Sequence, residues 1–381
     1  MNEDKPLKRT GFSGTISNSY SSPNIEPAGI SNSKVTSYNE QIKILDVTLK
    51  LDSPIPDFME YFDNNIDNPA AHDDYFNQVT VPWQYFMSHQ LYNHAELLWD
   101  RFIKYSYGWE NYTDKRIHKG TPYYFAAVTS ILARHLEQGF LLMHQALEED
   151  KITHGANVTT NSPAYSFLTL DYDKQDRHFV DKVTEMADYV EKNVDAYRNG
   201  RDGELTYSDF KKKFLEPDSV QELTFVFVYE MFRIKGTSQE IDQRIKQNAF
   251  SSLLQVDSIF NLCLTLENAI NHKNSGKGSF SYDLEFLAQK SGLSLNVATL
   301  NAINESFTND FSSTLSSLLN STYTNDNGGN LAPIEEDLAI AHGFRNYGAH
   351  RIEAQPVVYQ NYDEITSRVL NALFFSIDKL Y

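Results

Sequence analysis

Hydrophobic residues recur every three or four positions in four long stretches of the chain, which is the spacing of one face of an α-helix. In order, these stretches span about 121–149, 176–199, 247–271 and 362–381. Thr121 followed by Pro122 is typical of a helix start, and Gly200 is typical of a helix end. The pattern therefore predicts a mostly helical, all-α protein.

Two shorter apolar segments do not have a helical period. The segment LDVTLKLD at 45–52 is compatible with a short strand. The segment ELTFVFVYEMF at 222–232 is compatible with either a strand or a buried helix, because a short apolar run has no usable period.

The polar segments divide the chain. Residues 1–40 are rich in Ser, Asn, Pro and Gly, which favours a flexible arm. The segment at 198–219 contains glycines, charges and a proline, as a domain boundary often does. We expect an N-terminal helical domain of unknown role at 41–215 and a second helical domain at 216–381.

Composition and net charge limit the classes of function that the chain can have. The 381 residues are 41% hydrophobic, which is enough for two folded domains. A net charge of −18 repels nucleic acid at long range, which argues against a general RNA- or DNA-coating protein. It still allows an enzyme with a local basic patch, or a protein that binds a basic partner. The simplest reading of the charge is solubility.

The chain also lacks sequence features of other locations and sites. No apolar run approaches the ~20 residues that cross a bilayer, and the N-terminus lacks the apolar core of a signal peptide. We therefore expect a cytoplasmic protein without a membrane partner. Cys263 is the single cysteine, so an internal disulfide or a cysteine-based zinc site is not expected. The histidine spacings, such as His135 and His144, predict no metal site.

The segment LAPIEEDLAIAHGFRNYGAHRI at 331–352 contains the main candidate chemistry. Pro333 and the acidic residues after it favour the start of a helix. Arg345 and His350 follow, near Gly348, which weakens a helix. Residues five apart lie about 140° apart around an ideal helix. Both side chains reach one site only if they flank a groove, if the helix is distorted at the glycine, or if two subunits contribute them.

Arg345, the Asn346 directly after it and His350 resemble the R-[N/D/H]-x3-H motif of HEPN (higher eukaryote and prokaryote nucleotide-binding) domains. An amphipathic stretch precedes this motif and a final one follows it, so the resemblance covers roughly 220–381. It implies an all-α HEPN-like helical bundle that dimerises. It also implies a metal-independent endoribonuclease of the kind found in toxin–antitoxin, abortive-infection and CRISPR-linked antiviral defence.

The resemblance implies that Arg345, Asn346 and His350 are catalytic, and Arg351 beside them would add affinity for the RNA backbone. RNA carries its own nucleophile, the 2′-hydroxyl. A histidine can act as acid or base near neutral pH, and an arginine can bind phosphate oxygens with two parallel bonds. Such an enzyme needs no cofactor, and its products carry a 2′,3′-cyclic phosphate and a 5′-hydroxyl. We expect RNA as substrate, a homodimer, and a regulatory protein partner.

Three alternatives remain open from the sequence. The first is that Arg345 pairs with the acidic residues at 335–337 and His350 caps the helix. The second is a non-catalytic HEPN-like binding protein of a defence or toxin–antitoxin system. The third is a helical bundle that binds a small molecule, which only the aromatic stretch at 55–125 supports. A further open question concerns Glu267, which interrupts an apolar helix face and either faces the motif or lies at an edge.

Overall fold

A computed structural model describes residues 58–171, 180–243, 249–274, 278–324, 329–350 and 355–381. The N-terminal arm and the short strand considered at 45–52 lie outside the described residues. The side chains of 348–350 are likewise outside them, although the backbone there is described as helix.

The all-α prediction is confirmed. Regular structure in the described ranges is helical apart from one isolated β-bridge between Thr324 and Asn330. The segment at 222–232, ambiguous in the sequence, lies inside a long helix. None of the described helices combines the length and the hydropathy needed to cross a lipid bilayer.

The chain divides into two compact units, the first ending at Tyr165 and the second spanning Ser166–Tyr381. The first unit contains helices α1 to α6, and α7 lies at the division. Their bounds are α1 Phe58–Asn65, α2 Pro69–Ser88, α3 Tyr92–Thr113, α4 Gly120–Leu132, α5 Leu136–His154, α6 Val158–Asn161 and α7 Pro163–Leu168.

Aromatic side chains form much of the core of the first unit. Trp83 and Trp99 are fully buried, and both rings contact Phe125 of α4. The indole nitrogen of Trp83 donates a hydrogen bond to the Thr129 hydroxyl at 2.8 Å. The buried tryptophan therefore has its one polar atom satisfied, as burial requires.

The single helix predicted at 121–149 is wrong, because the structure has two helices there. The chain reverses between α4 and α5, where Arg134 has a left-handed backbone with φ of 69°. Thr121 is also not a helix cap. The helix already begins at Gly120, and the Thr121 hydroxyl donates to the Asp73 carboxylate at 2.7 Å.

Gly139 allows α5 to pack closely on α4. A Cβ at Gly139 would lie 2.4 Å from the Ile131 side chain and 3.2 Å from the carbonyl oxygen of Ala127. Some of the atoms that a Cβ at Gly139 would meet belong to the backbone of α4, which cannot move aside easily. Gly108 of α3, in contrast, has no atom within 4 Å of such a Cβ.

We expect Gly139→Ala to destabilise the first unit by about 1–3 kcal/mol through overpacking. Gly108→Ala should instead stabilise it by about 0.5–1 kcal/mol, because alanine is the better helix former. Urea unfolding followed by tryptophan fluorescence measures both changes. Equal effects of the two substitutions would contradict the close packing of α4 and α5.

The second unit contains ten further α-helices among its described residues. They are α8 Val180–Gly200, α9 Tyr207–Phe210, α10 Gln221–Gln243, α11 Ala249–Lys273, α12 Phe280–Lys290, α13 Val297–Asn309, α14 Phe311–Leu319, α15 Pro333–His350, α16 Pro356–Gln360 and α17 Tyr362–Leu380. The helices α8, α11 and α17 lie where hydrophobic periodicity predicts helices. In the centre of the unit, α11, α15 and α17 pack on one another.

The predicted domain boundary after residue 215 lies inside the second unit, because α8 packs on α17. The Tyr197 hydroxyl of α8 donates to the Asp378 carboxylate at 3.0 Å. Arg201, directly after α8, donates to both carboxylate oxygens of Asp337 on α15. These contacts join residues more than 130 positions apart, which the composition of the 198–219 segment does not reveal.

Candidate functional site

The candidate motif lies on α15, which begins at Pro333 and stays helical through His350. The backbone therefore continues regularly past Gly348, and a distortion there does not bring Arg345 and His350 to one face. Two of the three arrangements considered from the sequence remain: flanking one groove, or contribution by two subunits.

The N-terminal turn of α15 is acidic and buried, and its carboxylates have their own partners. Glu335 accepts hydrogen bonds from the backbone nitrogens of Ser294, Leu295 and Ala332. Arg345 does not pair with this turn. The alternative in which it does is wrong.

Arg345 instead forms a two-bond ion pair with Glu267 of α11. Its Nε donates to Glu267 Oε2 at 3.0 Å and its Nη2 donates to Oε1 at 3.2 Å. About a third of the Arg345 side chain is exposed, at 32%, whereas Glu267 is 13% exposed. Parallel bonds of this kind fix the plane of the guanidinium group. Glu267 therefore faces the motif. The remaining N–H groups of the Arg345 guanidinium leave it able to bind an anion at the surface.

Asn346 is held by a second set of contacts. Its Nδ2 donates to the Asn304 side chain of α13 at 3.0 Å and lies 3.3 Å from Nε2 of His342. His342 Nε2 is also 2.9 Å from the Ser281 hydroxyl of α12. Asn346 is thus bonded directly to α13, and His342 of its own helix links it to α12, which together fix its orientation.

His342 is a buried, neutral residue. It is 2% exposed, and burial, with a smaller effect of Arg345, lowers its pKa to about 4. A histidine with this pKa stays uncharged at neutral pH and does not exchange protons readily there. Its place is in the packing that supports Asn346.

Close packing fixes the part of α15 before the motif. A Cβ at Gly343 would lie 2.3 Å from the ring of Phe307 in α13, so a glycine is needed for this approach. One turn later, the ring of Tyr347 lies 4.2 Å from that of Phe311. Arg345 and Asn346 therefore lie on a helix whose position is set by α13 and α14.

Cys263 lies one turn before Glu267 on α11, and it is fully buried. Burial raises the pKa of its thiol above the ordinary range, and the negative charge of Glu267 adds to this effect. A buried, protonated thiol is a poor nucleophile. Cys263 is therefore not a candidate nucleophile beside α15.

His350 is the last residue of α15, and its side chain lies outside the described residues. Arg351 lies entirely outside them. The structure thus brings Arg345 and Asn346 together with Glu267, Asn304 and His342. Asn304 was missed by the sequence reasoning because it belongs to a separate helix with no motif. Glu267 had a signal, since it interrupts an apolar helix face.

Comparison of the chain with protein-family models, with curated proteins and with solved structures gives no match.

Proposed function

We propose that this chain is a metal-independent RNA endonuclease of the HEPN class that acts as a homodimer in phage defence or a stress response. One observation carries the proposal. Arg345 is held by two bonds to Glu267 at the surface of α15, beside Asn346, on the helix that ends at His350.

The proposed reaction is an internal transfer at phosphorus. The 2′-oxygen of the RNA forms a bond to phosphorus while the bond from phosphorus to the 5′-oxygen breaks. The 2′-hydroxyl loses its proton and the 5′-oxygen gains one. The products are a 2′,3′-cyclic phosphate and a 5′-hydroxyl, and no water is consumed in this step.

Each side chain has a role in this scheme. His350 accepts or donates a proton, since histidine titrates near neutral pH. The guanidinium group of Arg345 binds the phosphate oxygens as negative charge develops on them. Asn346 orients the phosphate or His350, and Arg351 adds affinity for the RNA backbone. Two subunits together would supply two copies of every group to one cleft.

Glu267 is a positioning residue in this proposal. Its carboxylate fixes the plane of the guanidinium before RNA binds, so little reorganisation is needed during the reaction. It also offsets the positive charge of Arg345, which limits non-specific attraction of RNA.

The same ion pair favours a second candidate function, a non-catalytic HEPN-like binding protein of a defence or toxin–antitoxin system. If Glu267 occupies the guanidinium permanently, Arg345 only joins α11 to α15. The net charge of −18 also suits a basic protein partner better than RNA. The two candidates differ in whether purified protein cuts RNA.

The proposal is tested by incubating the full chain with total RNA in excess EDTA. We expect the wild type to cleave RNA and both Arg345→Ala and His350→Ala to lose cleavage. Arg198→Ala serves as a control, because Arg198 is an exposed arginine of α8 that forms an ion pair with Asp195, one turn earlier on the same helix. The new ends should carry a cyclic phosphate, which blocks end-joining until it is opened.

Failure of the wild type to cleave any RNA, with all variants folded, would overturn the enzymatic proposal in favour of the binding protein. Cleavage that persists in Arg345→Ala or His350→Ala would overturn the assignment of these residues.

A further inference from the structure

Three side chains that can bind a metal converge in the first unit, and a fourth polar side chain lies beside one of them. The three are Asp73 of α2, His118 just before α4 and His154 of α5, and one ligand atom of each lies within 4.8 Å of the others. His118 Nε2 lies 3.6 Å from Asp73 Oδ1 and 3.3 Å from Oδ1 of the neighbouring Asp150 of α5. This cluster belongs to the first unit, whereas α15 belongs to the second.

The hydroxyl of Thr153 contacts the other ring nitrogen of His118. It lies 2.8 Å from His118 Nδ1, accepts a hydrogen bond from Arg116 at 3.0 Å and lies 3.1 Å from the carbonyl oxygen of Glu149. In the tautomer with the proton on Nδ1, His118 donates to Thr153 and the hydroxyl donates to Glu149. Nε2 then presents the lone pair that binds a metal ion.

In that tautomer, Nε2 of His118 faces two carboxylate oxygens. His118 and Asp150 are both nearly buried, at 3% and 5% side-chain exposure. Such a group of acceptors away from water is unfavourable unless a positive charge, a proton or a metal ion, lies among them.

Nearby cations do not supply this charge. Lys119 is paired with Glu110 at 2.5 Å and lies 3.7 Å from Glu149. Arg116 is paired with Glu149 at 2.6 Å. Both basic side chains therefore belong to a neighbouring ion-pair network that already contains its own carboxylates.

The distances are compatible with a metal ion. In a tetrahedral zinc site with bonds of about 2.0–2.1 Å, neighbouring ligand atoms lie about 3.3 Å apart. His118 Nε2 lies 3.6 Å from Asp73 Oδ1, and the ligand atoms of Asp73, His118 and His154 all lie within 4.8 Å of one another. A Cβ at Gly120 would lie 1.9 Å from Asp150 Oδ1 and 2.7 Å from the His118 ring, so only glycine leaves this space open.

Three side chains of the cluster are also contacted by hydroxyl groups. Thr121 donates to Asp73 at 2.7 Å, the Thr153 hydroxyl lies 2.8 Å from His118 Nδ1, and Ser162 bonds to the Asp150 side chain. Outer-shell bonds of this kind hold ligands in place at metal sites.

We propose that Asp73, His118 and His154 bind one divalent transition-metal ion of the zinc class, with Asp150 beside His118. Two imidazoles with a carboxylate suit zinc and its neighbours, whereas magnesium and calcium prefer oxygen ligands alone. Asp73 is 31% exposed, which leaves a path for the ion. The ion joins α2, the segment before α4, and α5. The sequence has no such signal, because the ligands lie far apart in the chain.

The test uses the full chain after EDTA treatment and removal of the chelator. Titration with zinc, followed by calorimetry and by competition with an indicator chelator, should give one ion per chain. Cobalt(II) should give the stronger visible absorption of a four-coordinate site. Zinc should raise the midpoint of thermal unfolding followed by tryptophan fluorescence, because all three tryptophans, Trp83, Trp99 and Trp109, lie in the first unit.

Asp73→Asn and His154→Gln are the informative variants, since both positions are only partly buried. Each should weaken zinc binding by more than the about 10- to 100-fold that loss of an outer-shell partner causes. The matched controls are Asp74→Asn, at the exposed neighbouring position of α2, and His144→Gln, at an exposed position of α5. Both controls should bind zinc as the wild type does.

Absence of stoichiometric zinc and cobalt binding by the wild type would overturn the site and would assign the cluster to a proton shared by Asp150 and His118. Equal binding by the Asp73 and His154 variants and their controls would also overturn it. Neither result bears on RNA cleavage by α15, because the two tests read different units.

Discussion

Asp337→Asn should lower the free energy of unfolding of the second unit by about 3–5 kcal/mol. The Asp337 side chain is fully buried and accepts bonds from two arginines, Arg201 at 2.5 and 3.0 Å and Arg368 at 2.9 Å. Removing one partner of a buried ion pair leaves uncompensated charge away from water. The loss of unfolding free energy should lie near the lower end of this range. Arg368 keeps a second negative partner, because Glu336 lies 3.6 Å from it.

Urea unfolding followed by circular dichroism measures this change. Tryptophan fluorescence in the same samples reports on the first unit, and it should change little. Asp195→Asn is the matched control, because Asp195 pairs with Arg198 at 2.9 Å but both side chains are well exposed. It should change stability by less than about 1 kcal/mol. If Asp337→Asn lowers the free energy of unfolding no more than Asp195→Asn does, the buried ion pairs of Asp337 do not stabilise the second unit as proposed.

Helix content could be predicted from the sequence where periodicity is long, as in α8, α11 and α17. The reversal between α4 and α5 could not. Residues 121–149 keep a helical period through the break, where Arg134 is left-handed and Gly139 packs closely against α4. Local pattern does not encode that tertiary contact. The same applies to α8, whose place in the second unit depends on Tyr197 and Arg201.

The candidate site was predictable only in its local part. Arg345 and Asn346 are adjacent in the sequence, so any motif on α15 presents them together. Their supports, Glu267 and Asn304, come from α11 and α13, and only the interrupted apolar face of α11 gave a hint. The metal cluster of the first unit is a stronger example, since its ligands come from three separate segments and no spacing rule links them.

The two proposals meet in the EDTA assay. Prolonged EDTA treatment would remove an ion from the first unit, and a loss of cleavage could then arise from unfolding of that unit. Assaying Asp73→Asn and His154→Gln without EDTA separates the cases. If both variants cleave RNA normally and bind zinc poorly, cleavage is independent of the ion. If Arg345→Ala loses cleavage in the same buffer while Asp73→Asn and His154→Gln keep it, the assignment of the RNase site to α15 stands.

Arg345→Lys should reduce RNA cleavage by about 100-fold although the positive charge is kept. Lysine donates from a single nitrogen and cannot form the two parallel bonds that Arg345 makes with Glu267. Lysine therefore lacks the planar guanidinium group that would bind the negative charge developing on the phosphate. Loss of one positioned donor of this kind typically slows a reaction by about 100-fold. Single-turnover cleavage rates at saturating enzyme measure the change, with Arg198→Lys as the control.

Glu267→Gln tests whether this loss acts through positioning. Glutamine keeps the shape of Glu267 but removes its charge, so we expect about a 10-fold slower chemical step with little change in RNA affinity. The double variant that carries both Glu267→Gln and Arg345→Lys should cleave RNA no more slowly than Arg345→Lys alone, because both changes disrupt the same ion pair. Additive losses would mean that Glu267 acts apart from Arg345, and an unchanged rate in Arg345→Lys would mean that charge alone is sufficient at this position.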